Sequence, residues 1–66
     1  MSETFELRVR SREGDQRVVF VFCTSEDIVR LAKLRLLQHG GVNVEVWRRS
    51  EHLATLEPSE TIAAAN

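Results

Sequence analysis

A chain of 66 residues with 42% apolar and 29% charged side chains has the composition of one folded domain, not of a disordered segment. Nine Lys and Arg residues oppose ten Asp and Glu residues, so a net charge of −1 gives no general attraction to nucleic acid or to an anionic membrane. The single cysteine excludes an internal disulfide. Because the sequence also shows no secretory leader and no apolar stretch near the roughly 20 residues that span a bilayer, we expect a cytoplasmic protein.

The first half of the chain predicts a β-hairpin. Residues 4–12 alternate apolar and polar side chains with a period of two, which is typical of a half-buried strand. Gly14 can adopt the positive φ that a tight turn needs, and residues 17–23 form the second strand.

The second strand is apolar on both faces, which is unusual for a small sheet. Val18, Phe20 and Phe22 share one face, and Val19, Val21 and Cys23 share the other. One helix covers only one side of a sheet. We expect the phenylalanine face to lie in the core, which leaves Val19 and Val21 for contact with a partner.

A helix is predicted from Ser25 to Gln38, with Thr24 or Ser25 as its N-cap and Gly40 as its left-handed C-cap. Its apolar residues exceed one stripe. Those on the predicted core side are Ile28, Val29, Ala32 and Leu36, and those mostly outside that stripe are Leu31, Leu34 and Leu37. The surplus leucines predict a second packing partner.

The second half predicts a third strand over residues 42–49 and a short fourth strand over residues 52–56, joined by a turn. Pro58 ends that segment because it cannot donate to a ladder. The prediction is therefore one domain over residues 1–57 and a disordered tail over residues 58–66.

These elements predict an α+β domain with ββαβ(β) order, in which one helix packs on a mostly antiparallel sheet of three to four strands. The order over the first two-thirds of the chain is similar to the start of a ubiquitin-like β-grasp domain, but element order alone transfers no functional residue. The predicted core consists of Phe5, Leu7, Val9, Val18, Phe20, Phe22, Ile28, Ala32, Leu36, Val42, Val44 and Val46.

No segment carries a catalytic, cofactor or metal signature. Cys23, His39 and His52 are the soft metal ligands, and their long spacings differ from the paired spacing of structural zinc sites. Cys23 alternates with valines, so we interpret it as a small apolar core residue. We expect no catalytic residue, no cofactor and no metal. An enzyme remains the least favoured alternative, since it requires a site shared between subunits.

The leading interpretation is a small accessory module that binds proteins and acts as a homodimer, with no role at membranes. The predicted contact residues are Leu31, Leu34, Leu37, Val19, Val21 and Trp47. The alternative is binding of single-stranded nucleic acid, with stacking and phosphate contacts from Arg8, Arg10, Trp47 and Arg49. These four residues are predicted on the face of the sheet opposite the strand residues of the core. A protein contact is favoured because that face carries one predicted exposed aromatic residue and two glutamates.

Overall fold

The computed structural model describes residues 1–58, and these form one helix packed on one face of a four-stranded antiparallel sheet. The predicted α+β class is therefore confirmed. The elements in chain order are β1 (Ser2–Arg10), β2 (Gln16–Thr24), α1 (Ile28–Gln38), β3 (Asn43–Arg48) and β4 (Glu51–Leu56). Apart from Pro58, the predicted tail lies outside the described residues. The eleven-residue α1 is too short to span a membrane, and residues 1–58 contain no other helix that could do so.

The strands lie in the order β2-β1-β3-β4, and each neighbouring pair is antiparallel. The third strand therefore pairs with β1 rather than with β2, a choice that alternation along the strands does not determine. Because β2 and β3 both run antiparallel to β1, they run parallel to each other. The connection through α1 passes over β1, and it places the helix mainly above β1 and β3. The outer strand β2 and the outer strand β4 form the two edges of the sheet.

The core lies between α1 and the inner face of the sheet. Its buried residues are Phe5, Leu7, Val9, Cys23, Ile28, Ala32, Leu36, Val44 and Val46, with Val19, Val21, Leu31 and Leu56 packed against them. The predicted helix stripe of Ile28, Ala32 and Leu36 is confirmed. Val29 and Val42 are exposed, contrary to expectation, because Val29 lies off the buried stripe and Val42 precedes the first residue of β3.

The two faces of β2 are the reverse of those predicted. Val21 pairs with Phe5 and Val19 pairs with Leu7, so these valines lie on the inner face. Val18, Phe20 and Phe22 were expected in the core, but they point away from the helix and are exposed. Because both faces of β2 are apolar, alternation alone does not identify the face that meets the core. The register of the β1–β2 hairpin determines it.

Both hairpin turns use backbone conformations with positive φ. In the first, the N–H of Gly14 donates to the carbonyl of Ser11, and the N–H of Ser11 donates to the carbonyl of Asp15. With Gly14 at φ 93°, this is a three-residue loop with a bulge. In the second, Arg49 and Ser50 have φ values of 50° and 66°, as a type I′ turn requires.

The helix is shorter than predicted at its start and ends as predicted. It begins at Ile28 with Asp27 at the N-cap, rather than with the predicted Thr24 or Ser25. Residues 25–27 instead form a turn, in which the hydroxyl of Thr24 accepts from the N–H of Asp27 at 3.3 Å. At the other end, Gly40 has φ 59°, and its N–H donates to Leu37. The N–H of the next residue, Gly41, donates to Leu36, which completes a Schellman motif.

Candidate interaction surface

The outer face of the sheet, which α1 does not cover, carries most of the unusual side chains of this protein. Strand pairing arranges them in rows that cross the sheet from β2 to β4. One row contains Phe20, Glu6, Trp47 and His52, and the next contains Val18, Arg8, Glu45 and Thr55. The face therefore has an apolar side along β2 and a polar, aromatic side along β3 and β4.

The apolar side consists of Val18, Phe20 and Phe22, which we call the β2 strip. Phe20 is 68% exposed and Phe22 is 72% exposed. Phenylalanine side chains are usually large contributors to a core or an interface. Two of them exposed side by side on one strand form a contiguous apolar patch, which in a folded protein typically marks a contact with another molecule.

The inner face of β2 is also incompletely covered. Val19 and Val21 are half-buried and pack against the edge of the core, because the helix lies over β1 and β3 rather than over β2. The sequence predicts these two valines as contact residues on an outward face. The structure places them on the helix side of the sheet, so the exposed strip on β2 is formed by their neighbours instead.

The polar side is built around Arg8 and Trp47, which the sequence placed on one face and the structure brings into contact. The guanidinium carbon of Arg8 lies 4.1 Å from the centre of the Trp47 ring, a cation–π arrangement. Arg8 also donates to the carboxylate of Glu6, and the indole N–H of Trp47 donates to Glu45 at 3.0 Å. His52 packs against the same indole, with ring centres 5.1 Å apart.

This arrangement occupies groups that a nucleic acid would otherwise contact. Arg8 covers one face of the Trp47 ring, which a stacked base would need, and the two glutamates offset positive charge where a phosphate would bind. The other two predicted nucleic-acid residues lie apart. Arg10 is opposite Asn43 near the end of β1, and Arg49 lies in the turn after β3, beside a shallow depression that Phe20 also lines.

The three surplus leucines of α1 have different environments. Leu31 is half-buried and packs against the core, whereas Leu34 and Leu37 are exposed on the solvent side of the helix. Leu37, at 62% exposed, is the most accessible of the three. A second apolar stripe on the helix therefore contains two side chains rather than three.

The candidate metal ligands are distributed over separate elements. Cys23 lies at the buried end of β2, His39 is the C-cap of α1, and His52 is on the outer face of β4. Burial raises the pKa of the Cys23 thiol, and the nearby Asp27 carboxylate raises it further. Within residues 1–58, no three His, Cys, Asp or Glu side chains are grouped as ligands of a metal ion.

No protein family, curated protein or solved structure matches this chain.

Proposed function

We propose that this protein is a small protein-interaction module that acts as a homodimer, with the β2 strip as the core of its contact surface. The observation that carries the proposal is the exposure of Phe20 and Phe22 on the uncovered side of an edge strand. The small domain that the structure describes, residues 1–58, has one cysteine and therefore no internal disulfide. Self-association is a common way for such domains to bury more apolar surface.

The Arg8–Trp47 cluster adds a second surface for an accessory role in the cytoplasm. Tryptophan and arginine are enriched among the residues that dominate protein contacts. Here both side chains are held in place by Glu6 and Glu45, so little side-chain entropy is lost when a partner binds. The cluster is thus suited to recognition of another protein once the β2 strip is covered.

The solution mass of the protein tests the proposal. For a chain of 7.6 kDa, we expect light scattering to give about 15 kDa at concentrations above the dissociation constant, and a decrease toward the monomer on dilution. Phe22→Thr should shift this transition to higher concentration, since it removes an exposed ring. Leu34→Gln, a matched change on the exposed side of α1, should not. A monomer at all concentrations contradicts the proposal.

Binding of single-stranded nucleic acid is the second candidate, because the exposure of Phe20 and Phe22 places three aromatic side chains on the outer face rather than one. Exposed Arg10 and Arg49 lie near that face. This function predicts that an oligonucleotide at low salt quenches the fluorescence of Trp47, the only tryptophan. An unchanged emission during such a titration removes this candidate.

A further inference from the structure

The edge of the sheet formed by β2 is a template for a further strand, and the hairpin geometry shows which of its backbone groups are free. The N–H of Ser11 donates to the carbonyl of Asp15, so these residues form a hydrogen-bonded pair at the start of the ladder. Such pairs alternate along an antiparallel ladder. The odd-numbered residues of β2, from Arg17 to Cys23, therefore exchange hydrogen bonds with β1.

The even-numbered residues of β2 direct their N–H and carbonyl groups away from β1. These include all three members of the β2 strip, together with Gln16. No strand of the chain between residues 1 and 58 lies on that side. An extended backbone is the group that satisfies such a row of alternating donors and acceptors.

The two edges of the sheet differ in how well they resist such pairing. Strand β4 is six residues long, has an irregular register opposite Val46 and Trp47, and begins with the charged Glu51. Short length, bulges and charge all discourage pairing with another chain. Strand β2 has nine residues in unbroken register with β1, and Arg17 is the one charged residue within it. Of the two sheet edges within residues 1–58, the β2 edge is therefore the better suited to strand addition.

The sequence of β2 is complementary to itself when read in the antiparallel direction. With Phe20 at the centre, Val18 lies opposite Phe22 of a second copy, and Val19 lies opposite Val21. Every apolar residue from 18 to 22 then meets an apolar residue on the same face, and no like charges face each other. The central pair is also one in which both residues direct their backbone groups to the open edge.

We propose that two copies of this chain pair antiparallel along β2, with Phe20 opposite its equivalent on the two-fold axis. The result is a continuous eight-stranded sheet with both helices on one side and four phenylalanines grouped on the other. Phe20 and Phe22 expose about 280 Å² per chain, taking about 200 Å² for a phenylalanine side chain. Pairing that covers half of this area buries about 140 Å² per chain, which is roughly a sixth of the area of about 800 Å² that each partner buries in a standard interface. The backbone edge and the valines of β2 add to it.

This register rests on the proposed function and is tested by a disulfide that can form only between copies. It places Arg17 opposite Cys23 of the second copy, in a pair that lacks backbone hydrogen bonds, where Cα atoms are about 4.5 Å apart. Within one chain these residues are six positions apart on the same strand, about 20 Å. Oxidation of Arg17→Cys should therefore give a covalent dimer, and the added Cys23→Ala change should abolish it. Gln16→Cys, one residue away, is the matched control and should stay uncrosslinked.

A second pair of cysteine substitutions tests the same register in case the Arg17→Cys variant does not fold. In a Cys23→Ala background, Gln16→Cys and Thr24→Cys lie opposite each other in the same register, so they should crosslink when mixed and not when separate. If neither pair crosslinks while the wild-type mass is that of a dimer, the register is wrong and the homodimer proposal stands. If neither pair crosslinks and the wild-type mass is that of a monomer, both are overturned.

Discussion

Replacing Phe20 by threonine should weaken the homodimer far more than it weakens the fold. Phe20 is 68% exposed, so little of the ring contributes to the core of the isolated chain. Threonine is favourable in a strand and keeps the backbone edge intact. We expect the free energy of unfolding of the monomer to change by less than about 1 kcal/mol.

The effect on association follows from the area of the ring. About 140 Å² of the Phe20 side chain is exposed in each chain, taking about 200 Å² for the whole side chain. If pairing covers half of that area in both copies, about 140 Å² leaves water in the dimer. At about 25 cal/mol per Å², and allowing for the remaining threonine methyl group, the loss is about 3 kcal/mol. The dissociation constant should rise on the order of a hundredfold.

Sedimentation equilibrium of the wild type and of Phe20→Thr over a range of concentrations measures this change. Leu37→Gln is the matched control, because Leu37 is 62% exposed but lies on α1, away from β2. Its dissociation constant should stay within about twofold of the wild-type value. A wild-type dissociation constant for Phe20→Thr, or an equal loss in Leu37→Gln, would refute the assignment of the contact to β2.

Three further changes test the packing of the fold. Arg49→Asn combined with Ser50→Gly should raise the unfolding free energy in urea by about 1 kcal/mol, because Asn-Gly is the preferred pair for a type I′ turn; an unchanged midpoint would count against the turn geometry. Gly41→Ala should lower that free energy by about 1–3 kcal/mol, since the added Cβ would lie 2.8 Å from the carbonyl oxygen of Arg10; wild-type stability would contradict this close approach. The pKa of the Cys23 thiol is higher in the folded state than in the unfolded state, where it is about 8.5. The thiol of the unfolded chain therefore loses its proton first, and the free energy of unfolding falls as pH rises above about 8.5. This fall should be absent in Cys23→Ala, and equal pH profiles for both proteins would show that the thiol does not titrate differently on folding.

The elements of the fold could be predicted because local chemistry specifies each of them. Gly14 and Gly40 occur where positive φ is needed, and the spacing of four residues between Ile28, Ala32 and Leu36 specifies the buried side of the helix. The polar residues from Arg48 to Glu51 predict the β3–β4 turn. These signals act over a few residues and do not depend on the rest of the chain.

The orientation of β2 could not be predicted, because its two faces are equally apolar. Only the register with β1, in which Val21 pairs with Phe5, selects the face that meets the core. For the same reason, alternation predicts one aromatic residue, Trp47, on the outer face. The structure places Phe20 and Phe22 there as well. The contact between Arg8 and Trp47 also required the pairing of β1 with β3, a long-range choice that alternation does not encode.

Amide hydrogen exchange along β2 tests the central claim most directly, because alternate residues report on different neighbours. The N–H groups of Val19 and Val21 are bonded to β1 and should be protected at any protein concentration. The N–H groups of Val18, Phe20 and Phe22 point to the open edge. They should become protected as the protein concentration rises through the dissociation constant of the homodimer. Rapid exchange of these three amides at every concentration would show that the edge of β2 stays unpaired.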